Sequence, residues 1–322
     1  MLQAGFVGLP NVGKTTLFNA VTAQSSALIA SYAFSTSKPN VGVVAVPDER
    51  LAPLAKLVKT EVIVSASMEF VDIAGLVRGS SQGEGMGNQF LHAIRETDTM
   101  VQVVRCFEDE TVVHVDGSID PRRDIETIQI ELALADLATV ERRRERAQKT
   151  AKSGDKTAKS ELEVLDKLQP ALEEFKPARG VSLSDDERVI ARNYFLLTMK
   201  PTIYAANVNE TTLSAPDDHE HVKTMRELIR SAYRVLGLMS FLTAGEKEAR
   251  AWTIPQGSRA QDAAGAIHSD IARGFIRAEI VGYEALMRAG SYLAAKEQGL
   301  MRLEGKDYIM QEGDVVNFRF NV

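Results

Sequence analysis

Apolar positions change their period twice along this chain. Up to about residue 120, short apolar runs alternate with glycine loops and helix-like stretches. Runs at 4–7, 41–46, 68–72 and 99–105 read as strands, and the alternation predicts a mostly parallel sheet covered by helices. From Asp124 the period becomes three and four: Ile125, Ile128, Leu132 and Ala135 recur with no Pro or Gly until about residue 151. Ser153-Gly-Asp155 interrupts the pattern, and Leu165, Leu168, Leu172 and Phe175 resume it. This spacing predicts an antiparallel helical hairpin with an apolar seam, each arm reaching roughly 30–40 Å. Pro170 is expected to kink or interrupt the returning arm. After Pro177 the alternation returns, with a strand at 201–207 and a helix over about 220–237. From Ser240 onward the pattern reads as a small α+β unit, with strands at 249–254, 275–281 and 315–320 and a helix near 260–271.

Size and composition narrow the class. A chain of 322 residues suits two or three domains, and 44% hydrophobic with 25% charged residues describes an ordinary soluble protein. No apolar run is long enough to span a membrane, and Met1-Leu-Gln3 lacks the basic start of a secretory signal. A single cysteine, Cys106, excludes an internal disulfide framework and suits a reducing compartment, so a cytoplasmic location is expected. Net charge −6 argues against a wholesale polyanion binder, leaving nucleic-acid contact to a local basic surface. The hairpin tip, residues 141–152, is almost wholly polar and rich in positive charge. A solvated helix face is the simpler reading of that tip, and a contact with an acidic partner is the alternative.

The chemistry is concentrated near the start. Gly8-Leu-Pro-Asn-Val-Gly-Lys-Thr15 lies between a strand and a helix, the context required of a phosphate-binding loop. Its glycines let backbone N–H groups close around phosphates, and the helix N-terminus adds partial positive charge. Asn11, Val12, Gly13, Lys14, Thr15 and Thr16 are therefore the expected phosphate contacts. Lys14 would reach the β- and γ-phosphates, and the Thr15 hydroxyl would hold Mg²⁺. Downstream, the strand at 68–72 ends in Asp72-Ile-Ala-Gly75, whose carboxylate would hold Mg²⁺ and whose Gly75 amide would meet a γ-phosphate. Thr36 lies in a polar loop suited to completing the Mg²⁺ shell, with Ser35 and Ser37 as competitors.

These elements resemble the Obg-related GTPases at Gly8 to Thr15, at Phe70-Val-Asp-Ile-Ala-Gly-Leu-Val77 and at the glycine-rich run Gly79 to Gly87. The likeness narrows with Val104-Arg-Cys-Phe107, Ala206-Asn-Val-Asn-Glu210, Thr243-Ala-Gly245, Ala249-Arg-Ala-Trp-Thr253 and Phe320-Asn-Val322. Together they resemble the YchF-type proteins, the Obg-like ATPases, from end to end. The resemblance implies an α/β fold: a Ras-like P-loop NTPase domain over 1–120 and 190–237, with an antiparallel helical hairpin inserted at 121–189. It also implies a C-terminal α+β, ubiquitin-like TGS domain over 238–322. A ribosome-associated monomer that hydrolyses ATP to ADP, with no membrane role, is implied as well. The family carries several tens of residues between Glu227 and Leu228, including the last strand of the nucleotide domain. Either that segment is truly deleted or it has been left out of this sequence, and since a fold without it would expose an unpaired sheet edge, the second is favoured.

The base-recognition loop departs from the GTPase pattern Asn-Lys-x-Asp. Here it reads Asn207-Val-Asn-Glu210, so Val208 replaces the lysine and Glu210 the aspartate. Adenine offers no N1 proton and no 2-amino group, so an aspartate aimed there would stay unpaired. The shifted carboxylate and apolar flank predict preference for ATP over GTP, as the resemblance also implies.

Catalysis is less fully specified. GTPases often position water with a Gln just after Asp-x-x-Gly, where this chain has Leu76, so slow intrinsic hydrolysis is expected. His114 resembles the histidine that the family brings in from a mobile segment, and a structural role is the competing reading. Asn11 is the residue expected to help hold a potassium ion, as in some related enzymes. His92, His219, His221 and His268 show no metal-ligand spacing. Two functions fit: a nucleotide-switched ATPase with the ribosome as partner, or a stress or redox regulatory protein that binds nucleotide with negligible hydrolysis. A metabolic kinase is disfavoured, since no acceptor-site or lid pattern is evident.

Overall fold

A computed structural model describes residues 2–26, 40–76, 79, 86–209 and 218–321. Thr36, Ser35, Ser37 and Glu210 lie outside the described residues, as does most of the run from Gly79 to Gly87. The chain forms two compact units.

In chain order the elements begin with β1 (Gln3–Val7), α1 (Lys14–Ser26) and β2 (Val41–Ala45). Next come α2 (Leu51–Val58) and β3 (Ile63–Val64), which belong to the second unit. The first unit resumes with β4 (Ser67–Asp72), α3 (Met86–Glu96) and β5 (Thr99–Arg105). It continues with α4 (Pro121–Ala151), α5 (Lys156–Glu173), α6 (Asp185–Arg192) and β6 (Thr202–Asn207). Its five-stranded sheet has the order β2-β4-β1-β5-β6, with β1 parallel to β4 and β5, and β5 parallel to β6. Central strands covered on both faces are mostly apolar, and all seven residues of β5 are buried, Thr99, Gln102 and Arg105 included. Parallel pairing brings the loops after β1, β4, β5 and β6 to one end of the sheet, where open α/β folds place their ligands. Among the described residues β6 is an outer strand, and its Tyr204 is 48% exposed.

The hairpin follows from its capping as much as from its apolar stripe. Asp120 caps α4 by accepting from the backbone of Arg122 and Arg123, with Pro121 at the first helical position. Asp155 likewise caps α5 through Thr157 and Ala158, after Gly154 turns the chain at φ 89°. Ala133, Val140 and Ala147 of α4 pack with Val164, Leu165, Leu168 and Leu172 of α5. Two expectations need correction. Pro170 lies inside α5 and does not end it, the helix running on to Glu173 while Leu168 and Leu172 stay fully buried. Phe175 is not part of the seam: it follows the helix end at φ 56° and is 40% exposed.

In the second unit, α7 (Asp218–Val235), from residue 223 on, leads to β7 (Leu238–Ala244), β8 (Ala249–Pro255), α8 (Ala260–Ile267) and α9 (Ser269–Arg273). There follow β9 (Phe275–Gly282), α10 (Tyr283–Ala289), α11 (Tyr292–Glu297), β10 (Arg302–Glu304) and β11 (Asp314–Phe320). The sheet order is β10-β9-β11-β7-β8-β3, over a core that includes Phe241, Ile254, Ala263, Ile280 and Phe318. The helix expected at 260–271 is two helices, because His268 leaves the helical region and its Nδ1 caps α9 through Asp270. The domain limits also shift from those expected. Residues 44–68 join this unit, where α2 buries Leu51, Leu54 and Ala55 and β3 pairs with β8. Residues 223–237 join it too, and α7 passes through Glu227 and Leu228 as one continuous helix. The hairpin, for its part, belongs to the first unit and is not separate from it.

A single carboxylate ties the hairpin to the chain that returns from it. Asp136 on α4 is 1% exposed and accepts from Leu197 N (2.8 Å), Thr198 N (2.7 Å) and Thr198 Oγ1 (2.7 Å). Asp136→Ala would leave those buried donors unpaired and should cost about 2–4 kcal/mol. Urea unfolding with an unchanged m-value checks this, and a loss under about 0.5 kcal/mol would contradict it.

Candidate nucleotide site

Backbone geometry shapes the phosphate loop before any side chain acts. β1 is anchored by Ala4, Phe6 and Val7, each at most 1% exposed, and the chain then turns over residues 8–13. Two positions, Asn11 at φ 60° and Gly13 at φ 94°, adopt the left-handed conformation. A Cβ on Gly13 would stand 2.4 Å from Asn207 Nδ2, so the glycine also permits the loop to touch the end of β6. Asn207 exploits that approach: its Nδ2 donates to Val12 O at 2.9 Å. Leu9 and Val12 are buried beneath the loop.

Lys14 and Thr15 open α1. Lys14 is 7% exposed, and its Nζ donates to Gly8 O (3.2 Å) and Leu9 O (2.7 Å). Burial lowers its pKa to about 8, with the charge of Asp72 opposing that shift. Thr15 Oγ1 donates to Asp72 Oδ2 at 2.6 Å, while the buried Asp72 Oδ1 has no hydrogen-bond partner. A hydroxyl and a carboxylate at this distance, with one buried oxygen unpartnered, fit a hard cation such as Mg²⁺. Gly75 lies close by, a Cβ there falling 3.0 Å from Pro10 N and 3.2 Å from Lys14 Nζ. An open cavity of about 690 Å³ adjoins this loop, lined by residues that include Asn11, Gly13, Phe107, Asn207 and Val208.

The structure thus brings Asn11 to Thr16, Asp72, Gly75, Asn207 and Val208 to one end of the sheet. It does not bring His114 there. Its Nε2 lies 2.9 Å from Asp124 Oδ2 and its Nδ1 accepts from Asp116 N, in a setting where both side chains are about 5% exposed or less. Leu76 is fully buried and its backbone N–H donates to Gly8 O, so its side chain supports the loop and contacts no water site.

Three residues escaped the sequence reading. Arg105, 1% exposed at the end of β5, donates to Phe107 O, Asp109 O and Val112 O, and its guanidinium lies 4.6 Å from the Phe107 ring centre. It therefore fixes the loop that lines the cavity and leads to His114. A charge closing an apolar strand was the available signal, since a buried guanidinium must find acceptors. Asp124 and Glu131 on α4 gave no such signal, because acidic residues on a long helix are ordinary.

The burial of Lys14 predicts a pH dependence. Bound phosphates would restore its charge, so nucleotide binding should take up a proton once the free protein passes about pH 8. Below that pH the lysine is already protonated and affinity should be flat. Above it, affinity should fall by up to about tenfold per pH unit. Calorimetric titration in buffers of differing ionisation enthalpy measures the uptake, and flat affinity to about pH 9.5 would contradict it.

Residues 3–142 match the family described as "50S ribosome-binding GTPase", and residues 238–321 match the C-terminal YchF GTPase family, described as "Protein of unknown function (DUF933)". The "Ribosome-binding ATPase YchF" of Bacillus subtilis (strain 168) is 46% identical over 365 positions, covering 100% of both chains. The protein of the same name from Haemophilus influenzae is 48% identical over 361 positions, covering 99% of both. The solved structure of the Schizosaccharomyces pombe YchF GTPase superposes with a TM-score of 0.85 at 33% identity, covering 99% of this chain and 97% of that one. The B. subtilis alignment spans 365 positions against 322 residues here, a shortfall of 43. Sequence, fold and both halves of the molecule agree: the chain belongs to the YchF family.

Proposed function

We propose that the chain is a nucleotide-switched P-loop ATPase that prefers ATP over GTP and works on the ribosome. The observation that carries this is the closure of Lys14, Thr15 and Asp72 at the sheet end beside the Asn207 loop. Lys14 would pair with the phosphate oxygens, the Gly75 amide would meet the γ-phosphate, and Thr15 and Asp72, joined by Thr36, would hold Mg²⁺, which would supply charge neutralisation for the phosphates. Asn11 spends its amide nitrogen on Val113 O at 3.1 Å, which leaves its carbonyl oxygen as the atom for a potassium ion. Val208 and Glu210 favour adenine because they remove the carboxylate geometry that guanine requires. The curated relatives are named as ribosome-binding ATPases, which supports the same partner here. Action as a monomer in the cytoplasm accords with this reading.

One observation favours a second reading, a nucleotide-binding stress or redox regulator with negligible hydrolysis. Leu76 is buried and both ring nitrogens of His114 are engaged by Asp124 and the Asp116 N–H, so neither residue is free to take a proton from water. Turnover with and without ribosomes separates the two: strong stimulation supports the ATPase, and flat, negligible turnover with tight binding supports the regulator.

Competition between ATP and GTP tests the base assignment. ATP should win clearly, and Val208→Lys combined with Glu210→Asp should shift preference toward GTP. A native preference for GTP of about tenfold, roughly 1.4 kcal/mol, would overturn it.

A further inference from the structure

Two carboxylates on one face of α4 accept hydrogen bonds, one from the imidazole of His114 and one from the backbone of Gly79. Asp124 and Glu131 are seven residues apart, two helical turns, and are 3% and 6% exposed. Asp124 Oδ2 accepts a hydrogen bond from Nε2–H of His114 at 2.9 Å. Glu131 Oε1 accepts from Gly79 N at 2.7 Å, in the chain that follows Asp72 and Gly75. Around His114 the lock is complete. Its Nδ1 is capped by the Asp116 N–H, which assigns the proton to Nε2 and leaves no lone pair for water. Arg123, next to Asp124 on α4, donates to Ser118 Oγ at 2.8 Å, also donates to Ser118 O, and lies 3.6 Å from Asp116 Oδ2. On its other side the same loop is tied to the phosphate loop, through Asn11 Nδ2 and Val113 O.

We propose that Asp124 is a positioning residue that holds His114 away from the phosphates, so that the first turns of α4 gate hydrolysis. This rests on the reading that His114 serves catalysis. The helix that carries Asp124 and Glu131 is 31 residues long and forms the outgoing arm of the hairpin. A partner that grips the hairpin therefore acts on a rigid rod whose base holds both His114 and Gly79. Displacing that base frees the imidazole. The interaction is a charge-assisted hydrogen bond buried from water, strong enough to keep the released form in the minority and weak enough for a binding partner to break.

Phosphate release by the full chain, with and without ribosomes, tests the gate. Asp124→Asn keeps the shape and removes the charge, so unstimulated turnover should rise roughly three- to tenfold. The KM for ATP should stay unchanged, and stimulation by ribosomes should shrink by a similar factor. Asp124→Ala should act in the same direction, and the gain should vanish when His114→Ala is added. Unchanged or lower turnover in a folded Asp124→Asn protein overturns the gate, as does a gain that survives His114→Ala. His114→Ala alone at the wild-type rate instead overturns the catalytic reading of His114. Should both Asp124 variants fail to fold, the wild-type protein decides. Labelled with ¹⁵N-histidine and assigned by loss of the His114→Ala signal, His114 should show only the Nε2–H tautomer without nucleotide. A ring that averages between tautomers overturns the gate.

Discussion

A lysine ammonium withdrawn from water, with no carboxylate directly bonded to it, is the constraint around which the nucleotide end of the molecule is built. Lys14 is satisfied only by carbonyl oxygens of its own loop, Gly8 O and Leu9 O. Those carbonyls can converge on it because the turn adopts two left-handed residues and because Gly75 leaves no side chain in the way. The cost of burying a charge in this manner appears in its lowered pKa. A polyanion relieves that cost, since it supplies the missing counter-charge at the place where the carbonyls now substitute for it. Thr15 and Asp72 occupy the neighbouring position in the same spirit, a hydroxyl serving a carboxylate whose second oxygen is left over.

Much of this was legible in the sequence because the information is local. A phosphate-binding loop between strand and helix, Asp72 at a strand end and Asn207 at another need only short windows to be recognised. Strand placement succeeded for the same reason, since β5 and β6 are apolar runs bounded by polar loops. What escaped was set by tertiary partners. The stripe of Leu51, Leu54 and Ala55 on α2 shows that the helix must bury a face, and nothing nearby shows that the face joins the C-terminal sheet. Pro170 is tolerated inside α5 because the leucines around it are fully buried, so packing outweighs the missing backbone donor. Phe175 fitted the spacing of the apolar stripe, yet the helix ended at Glu173, two residues before it.

The same division applies to the site. Asp124 and Glu131 look like solvent-facing charges of an acidic helix, and only the fold shows them buried against His114 and Gly79. His114 carried the reverse lesson: its residue type suggested chemistry, while its surroundings show both ring nitrogens already engaged. Arg105 stands between these cases, a charge at the end of a buried strand that demanded acceptors and found three carbonyls, two of them on the cavity-lining Phe107 and Val112.

The outer position of β6 has a mechanical consequence. A strand flanked by neighbours on both sides is held along two edges, whereas β6 is gripped by β5 alone among the described residues. The segment proposed to sort purines therefore leans on a cantilever, braced by the amide of Asn207 donating to Val12 O. Whatever stiffens the phosphate turn stiffens that brace, so the two halves of a nucleotide are felt as one load and not as two separate grips.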